Sequence, residues 1–159
     1  MPFDCELLRD GWPAQPINTL SAVAFVAVGL WLWRGGRRLP AVLSAAVGLG
    51  SMWFHGAPGD APSGGHDITL YALVVLGVIE VGRQVARRRR PVVAAGILTA
   101  GLVVWFLSRT GGALCDPDSV IQGHSIWHVA AALAVGVLFG THRSGSQQTT
   151  TAGVGLSQK

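Results

Sequence analysis

The sequence predicts an all-α fold, a polytopic membrane helical bundle of five transmembrane helices with the N-terminus outside and the C-terminus in the cytoplasm. Three observations predict it. Half of the 159 residues are hydrophobic and only 13% are charged, with a mean hydropathy of +0.44, so a soluble domain of this length would lack a polar skin. Apolar runs of about 15 to 20 residues follow one another with Pro, Gly or Arg at their ends. Finally, the arginines fall on alternate connections between the runs.

The first run extends from Pro16 or Ile17 to Trp33; Pro13 and Pro16 stand where a helix can begin, and Arg34, Gly35 and Gly36 where it stops. At the α-helical rise it is about 27 Å long, enough to cross a hydrocarbon core of about 30 Å with snorkelling ends. The second run goes from Pro40 to about His55, the third from Asp67 to Val81 and the fourth from Pro91 to Leu107. The fifth, Val120 to Gly140, is introduced by Ser119 and Gln122 in a capping-box pattern. Most are short, as suits a thin membrane or a bundle whose ends are sheltered by loops. Gly48, Gly50, Gly77, Gly96 and Gly101 read as close-packing positions between helices. Residues 1–143 form a single transmembrane domain, and the Ser-, Gln-, Thr- and Gly-rich tail 144–159 is expected to be disordered.

Arg34, Arg37 and Arg38 lie between the first two runs, Arg83 and Arg87 to Arg90 between the third and fourth, and Arg143 after the fifth. All share one side only if there are five helices, and the positive-inside rule makes that side cytoplasmic. The opposite side holds Asp4, Glu6, Arg9, Asp10, Asp60, Arg109, Asp116 and Asp118. Trp31, Trp33 and Trp105 sit near run ends, as in an aromatic belt. The net charge of +4 therefore reflects topology rather than a nucleic-acid partner, and the run Arg87 to Arg90 is an anchor with some affinity for anionic lipid. With Asp4, Glu6, Arg9 and Asp10 ahead of the first run no cleavable signal peptide is evident, so that run is expected to direct its own insertion. Arg-, Ala- and Gly-rich usage points to a bacterium of high genomic GC, hence to the bacterial inner (plasma) membrane.

Cys5 precedes the first run and Cys115 the fifth, which places both in the oxidising compartment. A disulfide between them is expected, two unpaired thiols being the alternative.

Polar residues inside apolar runs are costly and mark function. Ser51 and His55 are four apart at the outer end of the second helix, and His124 and His128 repeat that spacing on the fifth. The third helix opens with His66 and Asp67. Each histidine alone is more often an interfacial polar residue than a ligand; their convergence at one depth is what favours a metal. Three neutral imidazoles and a water make the tetrahedral arrangement of a catalytic zinc, and His at i and i+4 supplies two ligands from one helix face. His66, beside the glycine-rich stretch Ser63 to Gly65, is expected to face water, and His142 to lie on the cytoplasmic surface. Glu80 is about 20 Å below Asp67 along the helix and is expected to pair with Arg83 or reach the inner interface.

These residues carry a resemblance. Cys5-Glu6, Pro16-Ile17-Asn18-Thr19-Leu20-Ser21 opening the first helix, Ser51-Met52-Trp53-Phe54-His55, Asp67 and His124-Ser125-Ile126-Trp127-His128 resemble the alkaline ceramidase family, in the membrane hydrolase superfamily that includes adiponectin receptors and hemolysin-III-like proteins. The resemblance implies zinc on His55, His124 and His128, assistance to the zinc-bound water from Asp67 and Ser51, and a disulfide joining Cys5 to Cys115. It also implies seven helices, whereas only one run fits between Arg90 and Cys115, and losing two keeps the topology. Animal members carry a regulatory calcium site; Glu6 is present here, with Asp4 and Asp10 nearby, but Gln15 replaces an expected acid and Leu7 and Leu8 follow Glu6, which argues against calcium.

The sequence thus predicts a zinc-dependent lipid amidohydrolase, ceramidase-like, acting on ceramide or another N-acyl lipid and releasing a fatty acid, with an ester substrate as the open alternative. Asp67 would serve as general base and Ser51 as hydrogen-bond donor to the oxyanion. The rival reading is a non-catalytic receptor or structural protein stabilised by the same zinc. A proton relay in a small transporter subunit is weaker, because the polar groups cluster at one end.

Overall fold

The structure is a computed structural model that describes residues 4–58 and 63–140; residues 1–3, 59–62 and 141–159 lie outside the described residues. Asp60, His142, Arg143 and the C-terminal tail fall among the latter. Six helical segments follow in chain order: α1 (Pro16–Ser21), α2 (Val23–Arg34), α3 (Arg38–Gly56), α4 (Gly64–Ala86), α5 (Val92–Leu107) and α6 (Gly123–Gly140). α1 and α2 run on through Ala22 as one span, Pro16–Arg34, giving five helices in the order of the apolar runs. Among the described residues there is no strand, only an isolated antiparallel bridge between Asp4 and Arg109.

Pro16–Arg34, Gly64–Ala86 and Gly123–Gly140 are long and apolar enough to cross a membrane, and Val92–Leu107 is apolar but shorter. Their outward faces are apolar too, with Leu20, Ile68, Tyr71 and Val78 all largely exposed, as lipid contact requires.

Helix ends depart from the apolar runs where polar residues continue a helix or a turn replaces one. α3 begins at Arg38, with Pro40 in its first turn, where its missing N–H costs no intrahelical bond. α4 runs from Gly64 to Ala86, well past both ends of its apolar stretch. The capping box expected before α6 does not form. Ser119 Oγ instead accepts the Ile121 N–H (3.1 Å), and Gln122 Nε2 donates to the Ser119 carbonyl (2.7 Å), so residues 119–122 make a turn and the helix starts at Gly123.

Small residues set the helix crossings. A Cβ on Gly29 would come within 2.8 Å of the Ala41 carbonyl oxygen, one on Gly48 within 2.9 Å of that of Ala22, and one on Gly101 within 2.7 Å of the Ala130 Cβ. Gly50 lets the first turn of α4 approach α3, the His66 Cα lying 3.1 Å from where a Cβ would stand. Gly77 and Gly96 do not belong to this set, contrary to expectation: the first would meet only Leu138 at 3.8 Å and the second nothing within 4 Å. Between the helices Phe25, Val47, Leu73, Ala131 and Ala132 form one buried cluster, and Leu32, Ala41 and Phe139 another.

The two ends of the bundle are fastened differently. At the arginine end Arg37 Nε donates to the Phe139 carbonyl (3.0 Å) and Gln84 Nε2 to that of Leu138 (2.9 Å). Glu80 lies there as expected, 4.0 Å from Arg83. At the histidine end the N-terminal segment folds across the bundle. Cys5 and Cys115 form a disulfide, with Cα atoms 5.5 Å apart. The Glu6 carboxylate accepts the N–H groups of Ile17 (2.8 Å) and Asn18 (2.9 Å), capping the positive end of α1. The N–H groups of Ala14 and Gln15 donate to the last carbonyls of α3, those of Gly56 and His55, both at 2.9 Å.

Candidate metal centre

His55 stands in the last turn of α3, and His124 and His128 in the first two turns of α6. The spacing of four puts the latter pair on one helix face, and that face meets the end of α3. Ring centroids are 4.5 Å apart for His124 and His128, 4.7 Å for His55 and His124, and 5.2 Å for His55 and His128. Each residue offers one ring nitrogen to a group lying within 4.8 Å of one another. His55 and His128 are each 2% exposed, so a charged form would be poorly tolerated there.

Each ring is held by its Nδ1. His55 Nδ1 lies 2.7 Å from Gln15 Oε1, His124 Nδ1 2.8 Å from Asp4 Oδ1, and His128 Nδ1 2.9 Å from Ser21 Oγ. Gln15 Oε1 and the Asp4 carboxylate are acceptors only, so each requires a proton on the facing Nδ1. The Ser21 hydroxyl donates to the Asn18 carbonyl (2.9 Å), which leaves it to accept from His128. For His55 and His128 these hydrogen bonds set the tautomer and leave Nε2 to offer, and the Asp4 carboxylate beside His124 Nδ1 favours the same form there. His55 Nε2 is buried with no hydrogen-bond partner.

That donor set fits a metal ion. Tetrahedral zinc would draw the three nitrogens to about 3.4 Å from one another, a small contraction of the group seen here. Neutral imidazoles, each oriented by a second hydrogen bond, are the usual ligands of such a site. Burial opposes ionisation of Asp4, but the neighbouring His124, chiefly through its hydrogen bond, and then His55 outweigh it, holding the Asp4 carboxyl below the usual carboxylate range.

The remaining candidates surround this group. Ser51, one turn before His55 on the same face, is fully buried, and its Oγ has no hydrogen-bond partner. Asp67 is in the first turn of α4 with its side chain 40% exposed, and its Oδ1 lies 2.9 Å from His66 Nδ1. His66 does not face water as expected: the close approach at Gly50 brings it against α3, its side chain 16% exposed and its ring stacked on Phe54 at 5.6 Å. Phe54 in turn lies 5.0 Å from the His55 ring. The structure thus gathers His55, His124 and His128, and sets the Asp67–His66 pair against the adjoining Phe54.

Asp4, Gln15 and Ser21 were not singled out by the sequence as partners of these rings. A signal was present in Gln15, Asn18 and Ser21, polar residues three apart at the start of a largely apolar span. Of the residues associated above with calcium, Glu6 caps the start of α1 and Asp4 lies against His124. Comparison with known proteins finds no match to this chain among protein-family models, curated proteins or solved structures.

Proposed function

We propose that the protein is an integral membrane, zinc-dependent hydrolase that cleaves the amide of a membrane lipid, ceramide or another N-acyl lipid, and releases the fatty acid. The observation that carries this reading is the cluster of three imidazoles, His55 and His128 buried and His124 partly so, whose Nδ1 atoms all face oxygen partners. A structural zinc site closes its fourth position with a protein ligand; among the described residues the metal-ligating group has three members. In this reading all five helices span the membrane, with the arginine end cytoplasmic and the histidine end outside.

Zinc bound there would polarise the scissile carbonyl and make a water nucleophilic near neutral pH. Asp67 accepts the proton of the attacking water and passes it to the leaving amine, its carboxylate held by His66. Ser51, buried with its hydroxyl uncommitted, donates to the developing oxyanion, a contact worth ~3 kcal/mol where it has been measured. The apolar faces of the helices accommodate the acyl chain.

The test is metal analysis of the purified protein together with fatty-acid release from N-acyl lipids in detergent or vesicles. The reading expects about one zinc per chain and release that is abolished in His55→Ala. A metal-free protein, or one that releases no fatty acid from any N-acyl lipid, contradicts it.

A further inference from the structure

The antiparallel contact between the first helix and α3 has a regular register. Ser44 Oγ donates to the Phe25 carbonyl (2.8 Å). Gly48 lies against Ala22, and Gln15 bonds His55 through both backbone and side chain. Between these rungs the register sets Asn18 opposite Ser51. Both are fully buried, and three polar atoms, Asn18 Nδ2, Asn18 Oδ1 and Ser51 Oγ, have no hydrogen-bond partner. On its own helix Asn18 shares a face with Gln15, which holds His55, and with Ser21, which holds His128. Two polar side chains left without partners in a buried interface are costly, and such groups call for a partner that meets them.

Resting on the hydrolase reading above, we propose that Asn18 is a further substrate-contacting residue, which makes the site selective for amides over esters. A trans amide presents its carbonyl and its N–H on opposite sides. Ser51 supplies a donor for the carbonyl side, and across from it Asn18 Oδ1 supplies an acceptor for the N–H. An ester puts an oxygen where the N–H would be and leaves that acceptor unpaired, which is how a site built to bond an N–H rejects the analogue lacking it. Asn18 Nδ2 is a donor that a hydroxyl or carbonyl oxygen of either substrate can meet.

The experiment compares Asn18→Leu and Asn18→Ala with the unmutated protein on an N-acyl lipid and its O-acyl ester analogue, alongside zinc content and thermal stability. Expected for Asn18→Leu are full zinc content and an unchanged or raised Tm. Its kcat/KM for the amide should fall on the order of a hundredfold while that for the ester, which meets Asn18 through Nδ2 alone, falls far less, collapsing the amide-to-ester ratio. An unchanged ratio overturns the role of Asn18 and leaves the hydrolase reading standing. Loss of zinc and fold in both variants makes Asn18 a structural residue and also overturns its role. If the unmutated protein cleaves neither substrate, the hydrolase reading itself falls, and the role of Asn18 with it.

Discussion

The Nδ1 atom of His124 lies 2.8 Å from Oδ1 of Asp4, a contact between α6 and the segment that crosses the bundle ahead of the first helix. Asp4 adjoins Cys5, and Cys5 is bonded to Cys115 in the connection leading to α6. One cross-link thus brings together a histidine and the carboxylate that orients it, on stretches of chain far apart in sequence. A carboxylate on the far nitrogen of an imidazole fixes its tautomer and raises its basicity toward a metal.

Asp4→Asn is therefore expected to weaken zinc binding by about 10- to 100-fold, read by competition with a chromophoric chelator. The amide preserves volume, so the disulfide should still form. Affinity equal to that of the unmutated protein would show that the contact does not act on the metal.

Opening the disulfide should act on both stability and metal. The chain-entropy estimate for a loop of this size is nearly 5 kcal/mol, an upper figure for a membrane-restrained chain, so Cys5→Ala with Cys115→Ala should lower the unfolding free energy by about 2 to 4 kcal/mol. Zinc affinity should fall with it, as in Asp4→Asn, because Asp4 loses its tether. Non-reducing electrophoresis of the unmutated protein, proteolysed between the cysteines, should leave the Cys5 and Cys115 fragments joined.

What the sequence shows of this molecule follows from periodicity and length. Apolar runs bounded by Pro, Gly and Arg mark the helices because transfer into lipid is dominated by side-chain hydropathy, and His124 and His128 fall on one face because a spacing of four is a helical neighbour relation. Helix ends are less legible: Arg83 and Gln84 continue α4 beyond its apolar stretch, since a helix does not stop where hydrophobicity does. The partners of the rings are not legible either. Ser21 reaches His128, and Gln15 reaches His55, through hydrogen bonds between residues distant in sequence, and no local pattern says which polar group will face which. Gly96 shows the reverse error, because a glycine on an exposed helix surface has the same letter as one at a crossing.

The ligand assignment separates the histidines. His55→Ala, His124→Ala and His128→Ala should each lower bound zinc, whereas His66→Ala should keep it, since His66 bonds Asp67 rather than joining the ligand group. His142→Ala should also keep it. Metal loss in His66→Ala with retention in His55→Ala would overturn the assignment.

For topology, reporters fused after Arg38 and Arg90 should read as cytoplasmic and those at Gly64 and Gly112 as outside, in keeping with the arginine asymmetry. The reverse pattern would put the histidine end in the cytoplasm.

The most direct measurement of the central claim is paired zinc content and lipid hydrolysis in Asp67→Asn, which keeps side-chain volume and hydrogen bonding but removes the base. Zinc should stay near full occupancy while fatty-acid release from the N-acyl lipid falls by about two to four decades, the range expected for losing general acid–base help. Undiminished hydrolysis would remove Asp67 from the mechanism, and loss of zinc would make it a ligand; either result contradicts the account.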